Sequence, residues 1–408
     1  MEGRRKSLIF TSLGHFANDG NFLLFPTLIA YYKIIPDVSI VFLGAMAIIY
    51  NMLSGLLGPY IGKIADRVNK DGFLIFIGII IEGISAIAFG LAFISGLYIN
   101  YVIIAASILL GIGQAFYHPI GASILAFTYG KADSSTAMGI NGSFGSLGRA
   151  LIPSMLVYSI VFFGNVDGLM AVAIYTIVAA FVILAGLSFF KRQDYTKATR
   201  PPASNRDEEN KVSAKEYKKY SKFIYILTAI VFIRSFFLLG TVTFTPDYFD
   251  NIFHSTVVMG DVVTISFLGA VFGQPYFGRV VKEYGGKFTI AVTTIASTVF
   301  FALMLLTYNV YLVTILYLLY AVFAFTSFPV LLGYVAQTIP NEFSTRSNAM
   351  VWSFGNIVGG SVGILIITLL IYIKISLRIS FVIMLVFSIV SIIMLPLLPN
   401  RENNPVQS

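Results

Sequence analysis

The sequence predicts an all-α membrane protein with twelve transmembrane helices, arranged as two pseudo-symmetric six-helix bundles. Three observations lead to this prediction. Apolar runs of about 20 residues, the length that crosses a bilayer, recur along nearly the whole 408-residue chain. One polar stretch divides these runs into six and six. Short motifs of the first six runs recur at corresponding places in the second six, which indicates an internal repeat.

The composition excludes several classes of protein. Apolar residues make up 57% of the chain and charged residues only 11%, and the mean hydropathy is +0.85. Because soluble domains carry about 25% charged residues, we exclude a soluble enzyme. The absence of cysteine excludes disulfides, Fe–S clusters and thiol catalysis. The three histidines are few and scattered along the chain, so we expect no metal and no cofactor, and no enzymatic activity.

The apolar runs define the expected domains. An N-terminal bundle is expected within residues 1–190, a cytoplasmic linker at 191–221 and a C-terminal bundle within 222–408. The predicted spans are 8–32, 39–61, 72–95, 98–128, 136–163, 167–190, 222–249, 255–280, 287–308, 310–337, 346–371 and 376–399.

The basic residues set the expected orientation. Segments on the N-terminal side of the membrane hold 22 of the 27 lysines and arginines, whereas the opposite side holds three. Cytoplasmic loops are enriched in such residues, so we expect a plasma-membrane protein with both termini in the cytoplasm. The net charge of +8 follows from these loops and does not indicate nucleic-acid binding.

Four pairs of segments carry the repeat between the halves. They are 59–63 with 275–279, 118–119 with 328–329, 143–145 with 353–355, and Pro26 with Pro246. Two such bundles can rock about a central site and expose it to each side of the membrane in turn. The architecture therefore favours a transporter over an enzyme or a receptor.

The segment after the second span resembles the loop signature of the major facilitator superfamily, in which a Gly is followed four residues later by Asp and then by basic residues. Here the matching residues are Gly62, Asp66, Arg67 and Lys70, and Asn69 stands where the family usually has a second Gly. The resemblance extends over essentially the whole chain. It implies the twelve-helix fold, a monomer, and a gating role for these four residues.

Four segments are similar to the fosmidomycin-resistance branch of that superfamily, namely 15–19, 113–119, 142–148 and 334–340. This resemblance implies efflux of a phosphonate antibiotic. Two positions depart from the branch, since Ile120 replaces a usual Glu and Arg149 replaces a usual Pro. Both departures fall in the expected working region, so we expect a small organic or phosphonate-like anion rather than that antibiotic itself.

Ionisable side chains inside a span are costly, and each is therefore a functional candidate. His15 and Asp19 lie one helical turn apart on span 1, and His118 on span 4 is expected at a similar depth. We interpret these three as candidate proton-coupling residues, because carboxyl and imidazole groups can exchange protons near neutral pH. The alternative is a structural polar cluster that joins spans 1 and 4.

Arg149 and Arg234 lie near the middle of spans 5 and 7, one in each half. A guanidinium keeps its charge and binds carboxylate or phosphate through two hydrogen bonds, so both are candidate ligands for an anionic substrate. The alternative is pairing within the protein, for example of Arg149 with Asp19. Such a pair would act as a switch, since protonation of Asp19 would free Arg149 for an anion.

Four further residues are candidates for substrate contact: Gln114, Asn141, Trp352 and Asn356. Glu82, in the peripheral span 3, is expected to be protonated or paired for packing.

Two further expectations concern the ends and the interfaces of the spans. The carboxylates at the outer ends of spans 7 and 8, Asp247, Asp250 and Asp261, are expected to be solvated. The glycines of 139–148 and 355–363 are expected to form the interface between the halves, because small residues let helices approach closely.

These observations favour a secondary transporter that works by alternating access, is coupled to protons as an antiporter, and exports a small organic or phosphonate-like anion. One alternative is a multidrug exporter of neutral or cationic compounds, in which the arginines are structural. Another is a membrane sensor on the same fold that transports nothing. The expected partners are the substrate, protons and the lipid bilayer.

Overall fold

The computed structural model describes residues 2–191, 206–339, 347–348 and 350–399, and every regular element in these ranges is helical. The α-helices are α1 (Glu2–Phe22), α2 (Leu24–Tyr32), α3 (Ile40–Val68), α4 (Asp71–Ala92), α5 (Ile99–Leu187), α6 (Arg206–Phe253), α7 (Thr256–Tyr284), α8 (Gly286–Met304), α9 (Val310–Ala324), α10 (Ser327–Thr338), α11 (Gly359–Tyr372) and α12 (Leu377–Met394). A π-helix spans Met350–Val358.

The prediction of an all-helical protein is confirmed. Within the described residues, ten helices are long and apolar enough to cross a membrane. The segment predicted as span 1 consists of two helices, α1 and α2, which meet at Leu23. Residues 192–205 of the predicted linker 191–221 lie outside the described residues, and α6 begins within the rest of it, at Arg206.

Helix α5 contains two reversals of the chain. Gly130 and Gly164 have φ angles of 69° and 85°, a region that residues with a side chain rarely adopt. Tyr117 contacts Asn141 across the first reversal, and Gly168 packs against Ile160 across the second. We call the three segments α5a (99–129), α5b (131–163) and α5c (165–187), and they overlap the predicted spans 4, 5 and 6 closely.

Four helices begin at a polar residue that caps the first turn. The side chains of Ser39, Ser255, Asn309 and Ser376 accept hydrogen bonds from backbone N–H groups three residues later. Such caps satisfy donors that have no partner within the helix. All four lie on the membrane side opposite the linker, which we call the far side.

A charged contact joins the two halves on the far side. The Lys33 ammonium lies 2.6 Å from an Asp247 carboxylate oxygen and 2.9 Å from an Asp250 carboxylate oxygen, and it donates to Asn251 at 2.8 Å. The sequence-based expectation that these carboxylates are solvated is wrong for Asp247, whose side chain is 0% exposed. Burial disfavours the charged form of Lys33, but the two carboxylates outweigh burial and raise its pKa.

Other contacts between the halves lie on the far side or near mid-depth. Asp261 accepts hydrogen bonds from Ser154 and Tyr158, and the Gln274 amide donates to Ser146 at 2.5 Å. The structure is therefore closed on the far side.

The glycines of α5b and of 355–363 pack mainly within each half, which corrects the expectation that they form the interface between halves. Gly148 faces the backbone of Phe16 on α1, and Gly363 faces the backbone of Phe236 on α6. Gly142 is the exception, since it faces Gln274 of the other half. A Cβ at the first two positions would collide with backbone that cannot move aside, so these glycines set the distance between helices of the same half.

We predict that Lys33→Met opens the far side. The substitution leaves Asp247 buried without its cation, a loss of about 3–5 kcal/mol. Because the chain has no cysteine, spin labels can be placed on cysteines introduced at Leu97 and Tyr311, which are 92% and 78% exposed. Distances between the labels should lengthen in Lys33→Met and stay unchanged in the control Lys374→Met. An unaltered distribution in Lys33→Met would show that this contact does not hold the far side closed.

Candidate functional site

A central cavity lies between the two halves of the chain. The N-terminal half contributes polar side chains from α1, α3, α5a and α5b, and the C-terminal half contributes side chains from α6, α7, the 324–327 segment and the π-helix. Its lining includes seven residues singled out in the sequence, namely His15, Asp19, Gln114, His118, Arg149, Trp352 and Asn356. The structure thus brings together candidates that are up to 341 positions apart in the sequence.

Asp19 is the centre of the polar cluster, and its side chain is only 5% exposed. One carboxylate oxygen lies 3.2 Å from His15 Nε2 and 3.2 Å from Arg149 Nη1. The other lies 3.3 Å from His118 Nε2 and accepts from the Asn18 amide at 3.0 Å. Four nitrogens from α1, α5a and α5b therefore replace the water that this carboxylate would have in solution.

His15, Asp19 and His118 also have the composition of a metal site. Their ligand atoms lie within 4.8 Å of one another. The histidines are scattered along the sequence, but two of the three lie close together in the structure. The Arg149 guanidinium is bound to the same carboxylate. Its fixed positive charge opposes a divalent cation at this position.

The other ring nitrogen of His15 contacts α5b. His15 Nδ1 lies 2.7 Å from Asn141 Oδ1, and the Asn141 amide nitrogen donates to the Tyr117 hydroxyl at 2.9 Å. Asn141 was predicted to contact substrate. It is 6% exposed and contacts His15, which lines the cavity.

Arg149 reaches from α5b toward both halves. Besides its contact with Asp19, it donates to Ser146 at 3.3 Å, and Ser146 accepts from Gln274 of the other half. The sequence left two possibilities open for Arg149, substrate contact and pairing with Asp19. The structure shows the pair, and it also shows Arg149 at the cavity wall.

Arg234 is the buried cation of the C-terminal half. It is 2% exposed, and Nη1 donates to the Ser327 hydroxyl at 2.8 Å. Its Nε and Nη2 atoms have no hydrogen-bond partner, and no carboxylate pairs with it among the described residues. Ser327 lines the cavity, so Arg234 lies directly behind the cavity wall. The sequence provided no signal for Ser327 as its partner.

The wall opposite Asp19 includes the π-helix at Met350–Val358. Trp352 and Asn356 both line the cavity, and Asn356 accepts a hydrogen bond from Ser235 at 3.0 Å. π-Helices are rare and occur often at functional sites. The wider winding of the π-helix was not visible in the sequence, which predicted an ordinary transmembrane helix over 346–371.

Glu82 of α4 lies outside the cavity lining and is 0% exposed. Its carboxyl accepts from the Asn21 amide at 2.8 Å. Gly113 leaves the room that its side chain needs, since a Cβ there would come within 2.7 Å of Glu82 Cγ. This arrangement agrees with the expected packing role.

Comparison with known proteins places this arrangement in a family. A family model described as Major Facilitator Superfamily matches residues 11–260 and 242–408. The chain belongs to the major facilitator superfamily. It is therefore a multi-pass membrane transporter of small molecules, and such transporters are generally not enzymes. No curated protein matches its sequence.

Solved structures share the fold of this major facilitator. The crystal structure of a D-xylose–proton symporter matches with a TM-score of 0.72 at 15% identity and covers 97% of this chain and 98% of the other. A bacterial homolog of the human lysosomal transporter Spinster, in an inward-facing and occupied conformation, matches with a TM-score of 0.71 at 13% identity and covers 99% and 97%. At these identities the likeness concerns the fold alone.

The loop signature of this major facilitator lies at the end of α3. Gly62 is half-buried near Pro119 of α5a, and Arg67 and Lys70 are exposed. The side chain of Asp66 is outside the described part of the structure. The gating role of the four residues remains a prediction.

We predict that Gly145→Ala abolishes transport while Gly139→Ala preserves it. A Cβ at Gly145 would come within 2.5 Å of His15 Nε2 and 2.9 Å of Asp19 Oδ2, whereas a Cβ at Gly139 meets nothing within 4 Å. Both substitutions add the same methyl group to α5b and raise helix propensity by about 1 kcal/mol. Thermal unfolding in detergent checks that both fold, and liposome flux checks transport. Equal flux from the two variants would show that the His15–Asp19 contact is dispensable.

Proposed function

We propose that this protein is a proton-coupled secondary transporter of a small organic or phosphonate-like anion, working by alternating access. Two six-helix bundles, 1–190 and 222–408, would move about the central cavity and remain joined by the linker 191–221. The proposal includes twelve spans, a monomer, and cytoplasmic termini at the plasma membrane. The distribution of lysine and arginine supports this orientation.

One observation carries the proposal, namely the ion pair between Arg149 and Asp19 at the cavity wall. A guanidinium keeps its charge under all physiological conditions, whereas a carboxylate can take up a proton. Protonation of Asp19 would break the pair and leave Arg149 available to bind carboxylate or phosphonate oxygens. The pair thus links proton binding to anion binding.

The state of Arg234 supports an anion as the substrate. Burial of a guanidinium without a counter-charge costs several kcal/mol, and Arg234 has two nitrogens without a partner. An anion in the cavity near Ser327 would supply the missing charge. Arg149 and Arg234 would then attract it from the two halves.

Proton binding and anion binding should strengthen each other, and this favours cotransport of the two in the same direction. Each proton added to the His15–Asp19–His118 cluster makes the cavity more positive and strengthens anion binding. By thermodynamic reciprocity, the anion strengthens proton binding by the same factor. Antiport and efflux, the expectations from the sequence resemblance, would require the proton and the substrate to compete instead.

A second candidate is export of neutral or cationic compounds, and the pairing of Arg149 favours it. Arg149 already has Asp19 as its counter-charge, as the structural-arginine alternative expects. A cationic compound would then compete with protons for Asp19. This candidate requires exchange, so the direction of proton movement separates it from the first.

We predict that anion flux in liposomes falls at least tenfold in Arg149→Ala and in Arg234→Ala. Loss of a charge-assisted hydrogen bond costs about 1.5–3 kcal/mol, and 1.4 kcal/mol corresponds to a factor of ten. Labelled methylphosphonate and a panel of small carboxylates are the probes, and a pH-sensitive dye inside the liposomes reports protons. Inward anion movement should acidify the lumen.

The control is Arg4→Ala, which removes an exposed arginine bound to Asp133 far from the cavity. It should transport like the unaltered protein. Normal anion flux in both cavity variants would reject an anion site, and proton release coupled to uptake of a cation would favour the exporter. Binding without any flux would favour a sensor.

A further inference from the structure

The hydrogen bonds around Asn141 determine which way its amide points. The Thr11 hydroxyl donates its only hydrogen to the Ser7 carbonyl at 2.6 Å. The Tyr117 hydroxyl donates to the Thr11 carbonyl at 2.6 Å, which is nearer than the Asn141 carbonyl oxygen at 3.2 Å. Both hydroxyls can therefore only accept at their remaining positions. The Asn141 amide nitrogen donates to them, at 3.3 Å to Thr11 and 2.9 Å to Tyr117. If the amide were flipped, the Asn141 oxygen would face the two hydroxyls and would need a hydrogen from one of them. Tyr117 could supply it only by giving up its short bond to the Thr11 carbonyl.

This orientation turns the Asn141 carbonyl oxygen toward His15. The oxygen lies 2.7 Å from His15 Nδ1. Because a carbonyl oxygen only accepts, the hydrogen of this bond must come from Nδ1. The network therefore selects the form of His15 that has a hydrogen on Nδ1.

The consequence appears at the other ring nitrogen. A neutral imidazole with its hydrogen on Nδ1 presents a lone pair at Nε2. That nitrogen lies 3.2 Å from a carboxylate oxygen of Asp19, where two lone pairs would repel each other. The contact becomes a hydrogen bond only when the pair takes up one more proton, on His15 or on Asp19.

The groups that face His15 favour a proton over a metal ion. They are Asp19 on its own helix, Tyr117 and His118 on α5a, and Asn141 and Arg149 on α5b. Glu82 on α4 bonds Asn21 farther along α1. Arg149 lies 3.2 Å from the same Asp19 oxygen that faces His15, and a divalent cation there would meet its positive charge at close range.

We propose that Asn141 is a positioning residue that holds His15 with its hydrogen on Nδ1, so that the coupled proton resides between His15 Nε2 and Asp19. The location of the proton rests on the proposed function, because only a coupled transporter needs a proton that comes and goes. Asn141 itself does not touch the substrate. Its role is to keep the hydrogen of neutral His15 on Nδ1, so that Nε2 cannot donate a hydrogen bond to Asp19 until an extra proton binds.

Histidine spectra test this proposal on the unaltered protein. The chain has three histidines, so ¹⁵N-histidine labelling gives three rings, and His15→Gln identifies the signals of His15. We expect His15 with both nitrogens protonated at low pH and with only Nδ1 protonated at high pH. A neutral His15 that carries its hydrogen on Nε2 would overturn the proposal.

Two substitutions at Asn141 should move the pH profile of anion binding in opposite directions. Asn141→Ala removes the acceptor for Nδ1–H, and the pH of half-maximal binding should move about one unit or more toward acid. Asn141→Asp keeps an acceptor and makes it charged, so the profile should move toward alkaline pH. Ser143→Ala, which removes only a bond to the Gly139 carbonyl on the same helix, should leave the profile in place.

The outcomes separate this proposal from the proposed function. Absence of proton movement with any anion in liposomes would reject coupling, yet the spectra of His15 would still decide its protonated form. Equal effects of the two Asn141 variants on the profile would reduce Asn141 to a packing residue. Zn²⁺ binding by calorimetry that is tighter than micromolar and is lost in His15→Gln would place a metal, not a proton, at the contact and overturn the proposal.

Discussion

A carboxylate inside a membrane needs protein groups in place of its water, and four nitrogens from three helical segments lie within 3.3 Å of the Asp19 carboxylate. The positions of α1, α5a and α5b follow from it, because His118 and Arg149 must both reach the same carboxylate. Gly145 and Gly148 allow the necessary approach of α5b to α1. The cluster is therefore at once a packing element and the only part of the N-terminal half where charge and cavity meet among the described residues.

The two halves share a design and differ in their chemistry. The first helix of each half carries a buried charge, which is the negative Asp19 in α1 and the positive Arg234 in α6. Asp19 is paired with the Arg149 guanidinium, whereas Arg234 has a single hydroxyl partner, Ser327. A compensated charge on one wall and an uncompensated charge behind the other create a field across the cavity. In the proposed function, such a field would attract an anionic substrate.

Charge also joins the halves at two depths. On the far side, Lys33 binds Asp247 and Asp250. Near mid-depth, Arg149 connects through Ser146 to Gln274 of the other half. Arg149 is thus the single residue between Asp19, where the protonation would change, and Ser146, which bonds the other half.

The sequence by itself determined the helical membrane fold and most of the polar residues of the cavity. Charged or amide side chains within apolar runs are costly, and they are therefore easy to recognise in a sequence. The same reasoning predicted a possible pair between Arg149 and Asp19. Only the tertiary structure decided that Asn141 holds His15, that Ser327 is the partner of Arg234, and that Asp247 is buried against Lys33. These contacts join residues far apart in the chain, and helical periodicity indicates which face a side chain occupies but not which helix lies opposite it.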